Sequence, residues 1–585
     1  MTYVLGINAF HGETSAALLA DGELVAAVEE ERFNRIKYTS AFPVQAIRYC
    51  LETAGIDFSA VDHVAVGRNP LPSLGRKILH VLKKRPSASA IGSGLTRNVK
   101  TMNLKTHLAE EMGIAPRQIR ARFHRVEHHL AHCASAFLVS GYPQAAVMSV
   151  DGFGDFVSLM LAAGQDKTVK PLVRVWFPHS LGLFYTAITQ YCGFVKYGDE
   201  GKFMGLAPLG EPRYVEDMRE MVRLKDQGRF ELNLDYFVHH YQNVYLNWQG
   251  AVPEQGIVYS PKLIQRFGPP RTPGGEITKH YADMAASAQM VLEEVYFHAL
   301  GYLQQQTGLK RLCLAGGVAL NSVANGKILL RTQFKDVFIQ PAAGDAGLSL
   351  GAAYYVYHAV LGRPRNFHMT NAYTGPDFSP AEIREVLAHY RLPYEEFSDG
   401  EICRRAAQLM SEKKVVGWFQ GRMEFGPRAL GNRSIVVDPR FEDMKDILNS
   451  RVKNRERFRP FAPSVLEEQT WEWFEQEYPD PFMLKVYQIR RDKQGLIPAV
   501  THVDGSGRLQ TVSSDANPRY WRLITEYQKI SGIPVILNTS FNENEPIVCT
   551  PAEAVECFLR TKMDCLILDN YLVSKKNLGR ENGGR

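Results

Sequence analysis

Ala145-Ala146-Val147-Met148-Ser149-Val150-Asp151-Gly152-Phe153-Gly154-Asp155-Phe156-Val157-Ser158-Leu159-Met160-Leu161-Ala162 is the stretch that decides the fold. Its first six residues are apolar and strand-favouring and read as a buried strand. The strand breaks at an aspartate followed by glycines. A second apolar run then leads to a hairpin signal at Gln165-Asp166-Lys167. The N-terminus has the same order. Residues 3–8 read as a buried strand that breaks at Asn8-Ala9-Phe10-His11-Gly12-Glu13-Thr14, and Ser15 to Leu19 and Glu23 to Glu29 form two more strands around Ala20-Asp21-Gly22. A strand–turn–strand–strand opening that recurs after about one domain length predicts a duplicated α/β domain with a cleft between its halves.

Just upstream of the second opening lies Glu127-His128-His129-Leu130-Ala131-His132-Cys133-Ala134-Ser135-Ala136-Phe137. His128 and His132, four apart, share one face of a helix and can grip one metal ion; His129 points about 100° away. Asp151 follows a strand with glycines behind it. Asp345, in Ala342-Ala343-Gly344-Asp345-Ala346-Gly347 after the strand Val337–Pro341, has the same context. Two imidazoles and two carboxylates suit iron or manganese better than a thiolate-rich zinc site.

Other first-half segments carry weaker signals. The strand Arg311–Leu314 runs into Ala315-Gly316-Gly317-Val318-Ala319-Leu320-Asn321, a turn and helix start whose backbone N–H groups can cradle phosphate. Tyr197-Gly198-Asp199-Glu200-Gly201-Lys202-Phe203-Met204-Gly205-Leu206-Ala207-Pro208 reads as a loop. Residues 209–275 read as an irregular insertion able to shape an acceptor pocket. His280 to Thr307 reads as a long packing helix that stops at Gly308.

The 585 residues exceed one core, and 45% apolar with 22% charged residues is ordinary for a globular chain. A net charge of +6, with basic residues not gathered in long blocks, does not indicate generic nucleic-acid binding. Eight scattered cysteines without a CxxC pair argue against a zinc knuckle or disulfide framework. With no basic leader and no run of eighteen apolar residues, the expectation is a cytoplasmic protein without a membrane partner. Breakers at residues 362–377 mark a linker, giving domains at 1–362 and 375–574 and a frayed tail at 575–585.

The second domain opens with a helix around Gly400 to Lys413 and a strand at Val415–Phe419. Arginines then recur beside glycines and prolines, in the segments 420–434, 453–463 and 502–512. Such settings suit rigid, bidentate gripping of phosphates.

The ordered words Gly6-Ile7-Asn8 with His11, Glu29-Glu30-Glu31-Arg32-Phe33, HHLAH, Gly201-Lys202 before Met204-Gly205-Leu206-Ala207, Gly316-Gly317 with Asn321, Gly426-Pro427-Arg428-Ala429-Leu430-Gly431, Arg459-Pro460-Phe461-Ala462-Pro463 and Asn538-Thr539-Ser540-Phe541-Asn542 resemble the O-carbamoyltransferases of nodulation-factor and antibiotic biosynthesis. The resemblance covers essentially the whole chain. It implies a first domain like the actin-like ATPase and sugar-kinase superfamily in its threonylcarbamoyl-transferase branch, and a YrdC-like second domain. It further implies that carbamoyl phosphate and ATP give carbamoyl adenylate in the second domain, and that the carbamoyl group passes to a hydroxyl of a sugar or natural product in the first. By this resemblance His11, Arg428, Lys453 and Arg508 are catalytic, and Arg459, Asn538, Ser540, Gly316, Gly317 and Asn321 bind the nucleotide. His128, His132, Asp151 and Asp345 hold the metal, for which the family favours Fe(II); Mg(II) can accompany the nucleotide, and a homodimer is compatible. The alternative is a threonylcarbamoyl-type tRNA modification enzyme built from the same two domain types. The acceptor is not readable.

Overall fold

A computed structural model of the chain describes residues 1–84, 103–242, 244 and 251–578, and the chain divides into two compact units, Met1–Met369 and Thr370–Arg585. In the first unit, β1 (Tyr3–Asn8), β2 (Ser15–Ala20) and β3 (Glu23–Glu29) form an antiparallel meander. β4 (His63–Val66) and β5 (Arg122–Arg125) add in parallel beside β1, giving the order β3-β2-β1-β4-β5. A second meander, β6 (Gln144–Gly154), β7 (Val157–Gln165) and β8 (Thr168–Trp176), is followed by the separate hairpin β9 (Val222–Lys225) and β10 (Arg229–Leu232). β11 (Arg311–Ala315) and β12 (Asp336–Ile339) then join β6 in parallel, giving β8-β7-β6-β11-β12. The two sheets have one topology. This doubled unit is the duplicated α/β architecture that the repeated opening predicts. Asp21 and Gly22 take φ of 47° and 90°, the double left-handed turn a two-residue hairpin requires.

The long helix runs Lys279–Thr307, with Met284, Ala288, Val291, Val295 and Ala299 all buried and Gly308 left-handed at its end. Glu200–Leu206, expected as a loop, is a helix. Its glycines cost helix propensity, but Phe203, Met204 and Leu206 bury and Thr186 Oγ1 donates to Glu200 Oε1 at 2.6 Å, so tertiary packing overrides propensity. The insertion 209–275 is also less irregular than expected, since it contains β9–β10 and the helices Val215–Arg219 and Pro261–Phe267.

The second unit is a mixed nine-stranded sheet. It comprises β13 (Glu395–Glu396), β14 (Val416–Phe419), β15 (Arg433–Val437), β16 (Ala462–Leu466), β17 (Lys485–Gln488), β18 (Ser506–Val512), β19 (Val535–Ser540), β20 (Cys565–Leu568) and β21 (Tyr571–Ser574). Their order is β13-β21-β20-β14-β15-β19-β16-β18-β17. The expected helix is Asp399–Ser411, started by a Ser398/Glu401 capping box. It helps to cover a core that includes Trp418, Ile435, Val465, Tyr520 and Leu566. Lys575–Leu578 is a short helix, and residues 579–585 of the expected tail lie outside the described residues.

Candidate active site

The helix His128–Phe137 starts where Glu127 folds its carboxylate onto the N–H groups of His129 and Leu130, at 3.2 and 2.9 Å. That cap satisfies the first turn and fixes the rotation of the helix. His128 and His132 project from one face. His129 points elsewhere, fully buried, with Nδ1 2.8 Å from Ser149 Oγ and Nε2 2.9 Å from the Val157 carbonyl. Asp151 sits where the regular β6–β7 pairing breaks after Val150. Its Oδ1 accepts from the N–H groups of Gly152 and Gly317, at 2.7 and 3.1 Å. Asp345 lies in the turn between β12 and the helix Gly347–Tyr354.

These four side chains converge. His128 Nε2 is 3.2 Å from Asp151 Oδ2 and 3.6 Å from Asp345 Oδ1, and His132 Nε2 is 3.4 Å from both carboxylate oxygens. One ligand atom from each lies within 4.8 Å of all the others. Glycines make the approach possible. A Cβ on Gly154 would fall 2.0 Å from His128 Cγ, and one on Gly317 would fall 2.8 Å from Asp151 Oδ1.

The donors fit a cation. His132 Nε2 and Asp345 Oδ1 are buried and, though close, make no hydrogen bond. Burial lowers His132, but the Asp151 and Asp345 carboxylates outweigh it and raise the imidazole to about 9. Burial raises Asp151, yet the His128 and His132 rings hold it well below the usual carboxylate range. The pocket is therefore built to enclose positive charge between two carboxylates, as a divalent ion would provide.

His11, on the loop between β1 and β2, places Nδ1 2.9 Å from Asp345 Oδ2. Its Nε2 is buried without a hydrogen-bond partner. Burial is the largest influence on this ring and lowers it, only partly offset by Asp345. With Nδ1–H donating to Asp345, Nε2 carries a lone pair able to take a proton. Glu13, from the same loop, was not selected from the sequence; burial and then Asp345 push it up to about 8. Nothing in a Glu two residues past a histidine announces that.

The duplicated fold explains how the cluster assembles. The loop after β1 supplies His11, and the equivalent irregular end of β6, past Val150, supplies Asp151. The helix after β5 supplies His128 and His132, and the turn after the equivalent strand, β12, supplies Asp345. The two helices that follow β5 and β12 pack on each other, with Gly351 set against the Ala131 carbonyl.

The predicted phosphate nest at Gly316-Gly317 is turned inward. Gly316 N–H donates to the Ala343 carbonyl at 2.7 Å, and Gly317 N–H holds Asp151. Asn321 caps the following helix at Ala324 N–H and pairs with Gln289.

In the second unit Arg428, Lys453, Arg455, Arg459 and Arg508 gather. Arg508 is not in a loop, as its sequence neighbours suggest, but within β18, where Gly505-Ser506-Gly507 lets the strand pair with β17. Burial, then Arg428, Arg455 and Arg459, depress its guanidinium well below the usual range, and its Nε is buried without a hydrogen-bond partner. Burial and then Arg455 likewise depress Lys453, whose Nζ donates to the carbonyls of Ser540 and Asn542 and to Asn542 Oδ1. Four half-buried arginines around the buried Lys453 repel it and one another, a setting that suits anions, and phosphates supply several negative charges at once. Arg455, stacked 4.5 Å over Phe461, belongs to this group and was passed over in a segment full of arginines.

Two neighbours serve the scaffold. Buried Glu424 accepts from the N–H groups of Leu430, Asn432 and Arg433 and so shapes the 426–431 turn. Asn538 Nδ2 bonds the Ala429 carbonyl and Gln510. Arg433, by contrast, corrects the expectation for arginines in these segments. It is fully buried, lies 3.6 Å over Phe419 and donates to the carbonyls of Gln420, Gly421, Asn432, Cys549 and Pro376.

Comparison with known proteins accords with this geometry. Residues 3–354 match the family model described as carbamoyltransferase N-terminus, and residues 407–575 match carbamoyltransferase C-terminus. The chain is 40% identical to nodulation protein NolNO of Sinorhizobium fredii, over 99% of this chain and 81% of that one. It is 42% identical to nodulation protein NolO of Bradyrhizobium diazoefficiens, over 77% and 79%. It is also 40% identical to an uncharacterised Synechocystis protein, over 98% and 97%.

Proposed function

We propose that this chain, which belongs to the carbamoyltransferase family, transfers its carbamoyl group in two steps, one in each unit. In the second unit, water hydrolyses carbamoyl phosphate to carbamate and inorganic phosphate; a carbamate oxygen then attacks the α-phosphorus of ATP, a C–O–P bond forms, the bond to the β-phosphate breaks, pyrophosphate leaves, and carbamoyl adenylate results. Arg428, Lys453, Arg455, Arg459 and Arg508 neutralise the phosphates drawn together, which is the costliest part of that step. Ser540 lies at the edge of this group, its carbonyl 2.5 Å from Lys453 Nζ. In the first unit the acceptor hydroxyl attacks the carbamoyl carbon and AMP departs. His11 takes the hydroxyl proton at Nε2 and is held for it by Asp345 at Nδ1.

A divalent cation, Fe(II) by the resemblance, would be held by His128, His132, Asp151 and Asp345 and would supply Lewis acidity where the carbamoyl oxygen gains charge. Gly316, Gly317 and Asn321 keep Asp151 and the neighbouring helix in place around it. The acceptor belongs to the hydroxylated small molecules.

The observation that carries this reading is the convergence of two imidazoles, two carboxylates and an imidazole nitrogen without a partner in one buried pocket. The test is to mix protein, ATP and carbamoyl phosphate and to follow pyrophosphate. Release that depends on carbamoyl phosphate supports the reading; none refutes it.

A further inference from the structure

β1, β4 and β5 run parallel, and the pocket is built at their C-terminal ends, where open α/β sheets hold ligands. The loop after β1 carries His11, and the helix after β5 carries His128 and His132. The end of β4, between them, carries Arg68, which the proposed steps do not use. Val66 pairs with Ile7 and with Arg125, and the Gly67 N–H donates to the Ile7 carbonyl at 3.4 Å. Arg68 therefore leaves the sheet beside the His11 loop. Asn69 ties the same turn down from the other side, its N–H donating to Asp155 Oδ2 at 2.6 Å.

Arg68 is half-buried, and among the described residues its guanidinium makes no hydrogen bond or ion pair; Nε is buried without a partner. Burial is the largest influence on it and lowers it, against the opposing pull of Asp155 and Asp345, and its charge in turn helps to lower His11. Both of those carboxylates are committed elsewhere. Asp345 sets Oδ2 on His11 and Oδ1 among the imidazoles of the cation cluster. Asp155 Oδ2 accepts from Asn69 and, at 3.0 Å, from the His128 N–H. Asp155 Oδ1 is buried and also makes no hydrogen bond, so the two charges lie near each other without closing. A guanidinium held open in such a place is costly unless an anion meets it when the site fills.

We infer that Arg68 binds the phosphate of the carbamoyl adenylate in the first unit and stabilises it as AMP leaves. The inference rests on the two-step reading above. In the transfer step the acceptor oxygen bonds to the carbamoyl carbon, and the bond from that carbon to the phosphate oxygen breaks, its electron pair going to that oxygen. The hydroxyl proton goes to His11 Nε2. The departing phosphate gains a negative charge beside a guanidinium whose planar fork matches its oxygens. Other occupants fit less well. The carbamoyl group is neutral, and a hydroxylated acceptor needs no fixed charge. The phosphate is the one anion that the reaction must bring into this pocket.

The phosphorus resonance of AMP is followed with full-length protein loaded with Mn(II), whose paramagnetism broadens only nuclei close to the first unit's pocket. Carbamoyl phosphate-dependent pyrophosphate release is measured on the same proteins. The parent should broaden the AMP signal. R68M should need about 10- to 100-fold more AMP for equal broadening, with Mn(II) content, melting temperature and pyrophosphate release unchanged, and R68K should recover part of the loss. R68M/D155N should bind AMP as weakly as R68M. No broadening by the parent, equal broadening by R68M, or loss of Mn(II) from R68M overturns the assignment. So does recovery in R68M/D155N, which would make Arg68 only the counter-ion of Asp155. Failure of the two-step reading looks different. A parent that releases no pyrophosphate refutes that reading, whereas release that persists while R68M broadens AMP like the parent refutes only the role of Arg68.

Discussion

Gly154 is the residue on which the geometry of the pocket formed by His128, His132, Asp151 and Asp345 turns. The His128 ring occupies the space that any side chain there would need, with a Cβ falling 2.0 Å from Cγ. G154A should therefore displace the imidazole without unfolding β6 and weaken metal binding about 10- to 100-fold, measurable by metal content after dialysis against a chelator. His11 makes the complementary case. H11Q keeps the size of the side chain but lacks a basic nitrogen, so carbamoyl transfer should fall by about 10²–10⁴ while pyrophosphate release and metal content stay unchanged. Equal loss of both half-reactions would remove His11 from the proton role. The metal-site candidates were legible at this scale because their signals are local: i,i+4 spacing and carboxylates just past strands. Arg433 was not. Whether a guanidinium meets five carbonyls or a phosphate depends on which loops close around it, and no local pattern carries that.

Among the elements, the two helices that follow β5 and β12 cross where Gly351 leaves room for the Ala131 carbonyl. A Cβ there would lie 1.9 Å from that oxygen. G351A should force the helices apart, cost about 1–3 kcal/mol of stability, and lower metal affinity by separating His132 from Asp345; chemical denaturation and metal titration would show both. The β4–β5 pair carries a titrating contact, His63 Nδ1 against His124 Nε2 at 3.0 Å. Burial, then His63 and Arg122, lowers His124 to about 4. A histidine lowered on folding takes up protons more readily when unfolded, so its contribution is complete above about pH 6.5 and is lost as pH falls towards 4. After screening of this half-exposed pair the loss should be about 1 kcal/mol. H124Q should flatten the acid side of a melting-temperature profile by that amount. Element identity was easiest to read where a period or turn was strong, as in Lys279–Thr307 and the Asp21–Gly22 hairpin. It failed for Glu200–Leu206, whose helix exists through burial.

At the scale of the molecule the proposed function divides the chemistry between the two units, and this division can be tested from one side. Arg508→Met should remove about 100-fold or more of carbamoyl phosphate-dependent pyrophosphate release yet leave the metal content of the first unit intact. Loss of both would mean that the anion site and the metal pocket are not separate functions. The duplication itself was visible in sequence because each half announces itself by the same strand–turn–strand–strand order. Its chemical meaning was not, because it lies in which half supplies which ligand. Imidazoles come from the first half and carboxylates from the second, with the seam running through the pocket. Two identical halves would present every group twice across that seam. Here the equivalent positions differ, His11 against Asp151 and His128 with His132 against Asp345, so the pocket has an imidazole side and a carboxylate side that one chain alone can tune separately.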